Sequence, residues 1–291
     1  MTPGSAPRDT GAPTAGPSGR PAWTPPAAIR ASGLIHGAAA LGAAAFPGHW
    51  PWAAAAVALN HAVLAGAGMV ASSSLVGPTL WRLPPAAARR GSIALTFDDG
   101  PDPELTPRVL DALGRAGARA TFFCVGERVR RHPGLARRAL AEGHQLGNHT
   151  QRHAWSFPLS GPRGIGREID AAQSTIADAT GVAPEVFRAP FGVRTPWLDP
   201  MLARRALLHV SWSARAYDTV APDPGTVLER LSARLRPGAV LLLHDGRATG
   251  GAPRMGAAGA QAALAGLLER IGQLGLRPVT LRAALDDDGR G

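Results

Sequence analysis

Lysine is absent from this chain, and cysteine and tyrosine occur once each. The lone Cys124 excludes an intrachain disulfide and any Cys-rich zinc module. It lies in the apolar run Thr121-Phe122-Phe123-Cys124-Val125, which predicts a buried core thiol. Without lysine, the formal charge of +10 rests on arginine alone. Only 5% of residues are aromatic and no basic, aromatic-lined groove is visible, so no nucleic-acid partner is expected. A compositional bias that writes Arg for Lys and Ala for other apolar residues accounts for the charge.

Residues 31–76 contain no Asp, Glu, Lys or Arg at all. Two apolar stretches, 31–46 and 52–70, flank Pro47-Gly48-His49-Trp50-Pro51. The second approaches the ~20 residues that a bilayer helix needs. Trp50, Trp52 and Trp81 fall near the ends, where interfacial aromatics are expected, while Asn60-His61 sits mid-span. A membrane-embedded hairpin or single span is the expectation; its rival is a helical extension packed on the rest of the chain. Arg30 on one side and Arg82, Arg89 and Arg90 on the other assign no sidedness. Residues 1–29, dominated by Pro, Gly, Ala, Thr and Ser, read as a disordered tail. No signal-peptide pattern opens the chain. The expected division is a tail (1–29), an apolar helical segment (30–82), a linker (83–91) and a catalytic domain (92–285).

From residue 92 the pattern alternates. Strand-like runs at 93–97, 120–125, 145–147, 186–188, 207–213, 239–244 and 278–281 are separated by helical stretches at 106–117, 127–142, 163–180, 197–205, 223–235 and 257–274. About seven such units in series predict an α/β fold with parallel strands, as an open sheet or a (β/α) barrel.

The unusual polar residues collect just after strands. Asp98-Asp99-Gly100-Pro101 ends the first, Asn148 to His153 follows the third, Arg188 ends the fourth, Asp218 follows the fifth and His244 ends the sixth. In a β/α barrel those ends share one rim, where active sites form. Two adjacent carboxylates repel, and a chain places them together where a cation or proton is shared. His149 and His153, four apart, can project one way. With one carboxylate from another strand end they form a two-His, one-Asp set of the catalytic-zinc type. The other carboxylate can then take a proton from water, and His244 can protonate a leaving group. Asn148-His149-Thr150 also spells a glycosylation sequon, which a metal-binding His149 makes unattractive.

These residues resemble the motifs of the polysaccharide deacetylases, the NodB-homology or carbohydrate esterase 4 family, over roughly residues 93–281. The resemblance implies a distorted, NodB-like (β/α) barrel. Thr96-Phe97-Asp98-Asp99-Gly100-Pro101 implies Asp98 as general base and Asp99 as metal ligand. His149-Thr150-Gln151-Arg152-His153 implies His149 and His153 as the other ligands. Arg188-Ala189-Pro190-Phe191 implies Arg188 as the group orienting the base. It also implies Pro190 and Phe191 at the groove, with the Phe191 N–H in the oxyanion hole. Asp218 resembles the acid that tunes the catalytic histidine, and Leu242-Leu243-His244 implies Leu242 in the acetyl-methyl pocket and His244 as general acid. Two positions depart from the pattern: Phe191 replaces a usual Tyr, and Thr219 a usual Trp, so Trp212 or Tyr217 is expected to supply the missing groove wall. The implied reaction is metal-assisted hydrolysis of N-acetyl groups on an N-acetylglucosamine-containing polysaccharide, such as peptidoglycan or a chitin-like chain. The expected ion is Zn2+, with Co2+, Mn2+ or Ni2+ also suited. Alternatives are an O-deacetylase and an inactive membrane-tethered glycan-binding protein. The expected location is the cell membrane, with the domain on the extracytoplasmic side, where such a substrate lies.

Overall fold

The computed structural model describes residues 23–218, 223–247 and 256–286. Most of the expected tail, and Thr219, lie outside them. From Ala27 the chain is helical, so the helical segment starts earlier than the expected residue 30. Helix α1 (Ala27–Ala45) turns back through Pro47–His49 into α2 (Trp50–Met69). A side-chain bond from Asn60 Nδ2 to Ser32 Oγ (2.8 Å) and a 3.2 Å approach of the His36 and His61 Nε2 atoms tie the pair together. Helix α1 buries no residue, and α2 buries only Leu64, Ala67 and Gly68 near its end. A Cβ at residue 68 would collide with the Arg194 carbonyl, so this close approach requires glycine.

A short helix, α3 (Pro85–Arg89), leads into β1 (Ser92–Asp98), which is buried along its whole length. There follow α4 (Leu105–Arg115), β2 (Ala120–Cys124), α5 (Gly126–Arg131), α6 (Pro133–Ala141) and β3 (Gln145–Asn148). The single helix expected over 127–142 is two, because Pro133 lacks an N–H and forces His132 out of helical geometry (φ −131°, ψ 55°). Next come α7 (Pro162–Thr180), β4 (Val186–Phe187), α8 (Leu198–Ala203), β5 (Leu208–His209) and β6 (Ala214–Arg215). The strand expected over 207–213 is thus only a two-residue pair, and β6 was not anticipated. The chain closes with α9 (Pro224–Ser232), β7 (Val240–His244), α10 (Gly256–Gln273), β8 (Arg277–Pro278) and α11 (Leu281–Asp286).

The strands are parallel, in the order β5-β4-β3-β2-β1-β7-β6, with β8 beside the start of β1. This is the distorted (β/α) barrel, and it is incomplete between β5 and β6. Residues 77–83 bridge that gap: Leu80 pairs with Val210 after β5, and Arg82 with Ala239 before β7. Helices cover the sheet through apolar stripes at helical spacing, such as Val109, Leu110 and Leu113 on α4 and Leu264, Leu267, Leu268 and Ile271 on α10. Phe97 and Phe122 stack between them at 5.2 Å. Cys124 is buried and free as expected, and burial pushes its thiol well above the ordinary range.

Candidate functional site

Because β1 is an interior strand flanked by β2 and β7, its last residue is delivered to the rim between theirs. Asp98 is the register partner of His244 on β7. Asp98 is buried, and its Oδ1 accepts a 2.7 Å bond from Arg188 Nη1. Arg188 is wholly buried and also donates to Thr96 Oγ1 (2.8 Å) and to the carbonyls of Ser211 (2.9 Å) and Val210 (3.3 Å). Its guanidinium also lies 4.1 Å from the centre of the Phe123 ring. An arginine so fully engaged holds one rotamer, and with it one orientation of Asp98.

Asp98 Oδ2 points the other way, 3.8 Å from His149 Nε2. Asp99 Oδ1 lies 3.6 Å from His149 Nε2 and 3.3 Å from His153 Nε2. All three side chains are buried, and one ligand atom from each falls within 4.8 Å of the others, close enough to share one cation. The donor chemistry fits. His149 Nδ1 is 2.8 Å from the Arg188 carbonyl, which only accepts, so Nδ1 carries the hydrogen and Nε2 turns its lone pair to the space it shares with Asp99, where a cation would sit. Burial, with His153 alongside, pushes the His149 pKa down to about 3, which keeps the ring neutral as ligation requires.

On the far side, His244 donates through Nδ1 to Asp218 Oδ1 (2.9 Å), and its backbone N–H donates to Asp218 Oδ2 (2.9 Å). Burial opposes a charged His244. The carboxylate of Asp218, with Asp99 and Asp98 behind it, outweighs burial and lifts its pKa to about 9. A proton is therefore held on His244 at neutral pH.

Pro190 is buried, and Phe191 is half exposed with its ring 4.8 Å from that of His153. Phe191 adopts φ 59°, ψ 3°, a left-handed conformation costly for an aromatic residue. Asp99, Thr150, His153 and Tyr217 share positive φ, so backbone strain gathers at this rim. The Trp212 ring packs on Gly192, next to Phe191, while Tyr217 stacks with Arg215 (4.5 Å). Leu242 is buried in β7 opposite Thr96. Asn148 is fully buried and bonded to Ile169 and Gln173, so the sequon is not accessible in the folded domain.

Sequence reading missed three supporting groups. Thr96 receives Arg188 and passes its own hydrogen to the Leu241 carbonyl (2.6 Å). Arg128 donates to the Asp99 carbonyl (2.6 Å) and to that of Arg247. Asp245 accepts from Thr106 Oγ1 (2.6 Å), and burial, with Asp99 nearby, raises its pKa to about 7. A Cβ at Gly100 would strike its carboxylate, so the glycine after the acid pair is required by packing. The Asp245-Gly246 pair beside His244 was the one available signal; nothing local to Thr96 or Arg128 marks them.

Comparison with known proteins places this arrangement. A family profile described as polysaccharide deacetylase matches residues 86–204. Chitooligosaccharide deacetylase of Bradyrhizobium sp. (strain ANU 289) is 40% identical over 156 residues, covering 53% of this chain and 71% of that protein. Peptidoglycan-N-acetylglucosamine deacetylase PgdA of Listeria monocytogenes is 36% identical over 162 residues, covering 55% of this chain and 34% of that one. Among solved structures, peptidoglycan deacetylase PdaC of Bacillus subtilis superposes with TM-score 0.60 at 27% identity, covering 68% of this chain and 92% of PdaC. With the motif residues converging on one rim of the shared fold, the chain belongs to the polysaccharide deacetylase family of hydrolases.

Proposed function

We propose that the protein is a divalent-metal-dependent deacetylase that removes N-acetyl groups from an N-acetylglucosamine-containing glycan. The observation that carries the reading is the placement of Asp98 and His244 as register partners on β1 and β7, beside the Asp99, His149 and His153 cluster. A hydrolysis needs a proton removed from water and a proton given to the leaving amine, and these two side chains are adjacent and oppositely prepared.

A cation held by Asp99, His149 and His153, zinc being the ion that this donor set suits best, would polarise the amide carbonyl and acidify water. Asp98, fixed through Oδ1 by Arg188, takes the water's proton on Oδ2, the oxygen turned toward the ligand cluster. The backbone N–H of Phe191 donates to the developing oxyanion. Leu242 and Trp212 bound the pocket for the acetyl group. His244, kept protonated by Asp218, gives its proton to the departing nitrogen, leaving acetate and a free amine.

The N-terminal segment supports a membrane location. Among the described residues, one helix, Pro47–Met69, is long and apolar enough to cross a membrane. We place the α1–α2 hairpin in the cell membrane and the domain on the extracytoplasmic side, with the envelope glycan; protease digestion of intact cells checks this, and protection of the domain would reverse the sidedness. The activity is tested by acetate release from N-acetylglucosamine oligomers. It should be lost with a chelator and restored by zinc; release that survives exhaustive chelation would remove the metal from the reaction.

A further inference from the structure

The hairpin is rooted at the catalytic rim itself. Gly68, in the last turn of α2, accepts from the Arg194 N–H (3.0 Å), and Arg194 lies on the same loop after β4 as Phe191. Its buried guanidinium also binds the carbonyls of Val70, Ser73 and Gly77, gathering the segment that leaves α2. Ser211, just after β5, donates to the Ala71 carbonyl (2.6 Å). Ahead of α1, Trp23 Nε1 donates to Asp199 Oδ2 (2.6 Å) at the rim end of α8. Both feet of the hairpin therefore stand on the face that carries the active site.

The leash is short. Helix α2 has 20 residues, about 30 Å at 1.5 Å per residue, which is the hydrocarbon thickness of a bilayer. Its last turns are already packed at the hairpin's foot, where Leu64, Ala67 and Gly68 are buried, so no free helix separates the bilayer from the rim. Between its last residue, Met69, and the rim contact at Ala71, extended chain reaches at most about 7 Å. The surface of the domain agrees. Among its described residues, the large exposed hydrophobic side chains at the rim are Trp155, Leu159, Phe191, Trp197 and Tyr217, against Val182 and Leu274 at the opposite end. Tryptophans in that position suit the headgroup layer, and they continue the exposed apolar residues Met69 and Val70 at the hairpin's foot.

We propose that the active site opens onto the bilayer that holds the hairpin, and that its substrate is an N-acetylated saccharide carried on a membrane lipid. The proposal rests on the deacetylase reading above and adds to it the substrate's carrier. A free oligosaccharide or a remote polymer strand would have to reach a mouth pressed against the headgroups, whereas a sugar on a lipid is presented at that depth.

Two measurements on the full chain, zinc-loaded in phosphatidylethanolamine–phosphatidylglycerol vesicles, test it. In the first, single labels are placed through Trp197→Cys at the rim and Arg115→Cys at the opposite end, the buried Cys124 being left as it is. Headgroup spin-labelled lipid should quench a fluorophore at 197 and leave one at 115 unquenched. Equal quenching, or the reverse, overturns the orientation. In the second, N,N′-diacetylchitobiose is supplied free or tied to a dialkyl lipid in the same vesicles. Acetate release from the lipid-borne sugar should exceed that from the free sugar by about tenfold or more at equal bulk concentration. Equal rates, or preference for the free sugar, overturn the carrier assignment. No acetate from either removes the deacetylase reading itself, while the quenching still decides where the rim faces.

Discussion

The rim and the hairpin solve opposite problems with neighbouring stretches of one chain. At the rim, ionisable groups are buried and each is held by a specific partner: Arg188 on Asp98, Asp218 on His244, the Arg188 carbonyl on His149. In the hairpin, large apolar side chains such as Leu34, Leu41, Trp52 and Leu59 stand exposed, and residues 31–76 carry no charge. Polar groups cost free energy to bury unless they are paired, so the rim is a set of exact pairings. An exposed apolar surface of the hairpin's extent marks a site of contact with another apolar surface. Single substitutions should therefore be severe at the rim, while those in the hairpin should depend on the solvent around it.

The largest effect is expected from His153→Ala, which removes one of three metal donors. Bound zinc, measured by atomic emission, and acetate release should both fall to background; retained stoichiometric zinc would sink the ligand assignment. Asp98→Asn should keep the zinc but lower kcat by about 10²–10⁴-fold, the range of a lost general base. An undiminished rate there would free Asp98 from its role. In the core behind the rim, Leu110→Ala should cost about 2–5 kcal/mol in denaturant unfolding, because Leu110 is fully buried. In the hairpin, Leu41→Ala, at a site 74% exposed, should change stability in detergent by no more than about 0.5 kcal/mol. Similar costs at the two sites would erase the contrast.

The mildest change is a shift in pH dependence. His244 holds its proton up to about 9 because of Asp218, so activity that needs His244 as an acid falls as pH rises through that value. In Asp218→Asn the raising charge is gone, and the descending limb of kcat should move down by about one to three pH units. The same sign governs stability. The folded state binds the His244 proton more tightly than the unfolded chain, so this contribution is complete below the ordinary histidine pKa of ~6.5 and fades as pH rises through about 9. A limb that stayed in place in the variant would separate His244 from the pH profile.

The succession of strands and the convergence of the candidate residues on one rim were legible because both are written locally. A strand of apolar residues that stops at Asp98-Asp99 announces its own functional end, and the others do likewise at His149, Arg188 and His244. What could not be read depends on distant partners. Strand β6 has two residues and exists because Ala214 and Arg215 find Leu241 and Leu242. Thr96 looks like any strand threonine until Arg188, 92 positions away, arrives on its hydroxyl. Arg194 reads as one arginine of many, and becomes the clasp at the hairpin's foot only because residues 68–77 return to it. The division at Pro133 is different, since the proline was visible and its rule for the preceding residue is local.

The bridging segment 77–83 sets an order of assembly. Leu80 donates to the His209 carbonyl (2.9 Å) and accepts from the Ser211 N–H (3.0 Å), while Leu83 reaches Gly238 (2.9 Å). The stave is thus made early in synthesis, yet it can be seated only after partners roughly 130 or more positions later have left the ribosome. Contacts of such separation are the slow ones in folding. The hairpin is complete before the barrel is closed, and the domain finishes folding with its seam still open until this segment is seated. Pulse-labelled hydrogen exchange should find the Leu80 N–H among the last to be protected; protection as early as that of β1 would reverse this order.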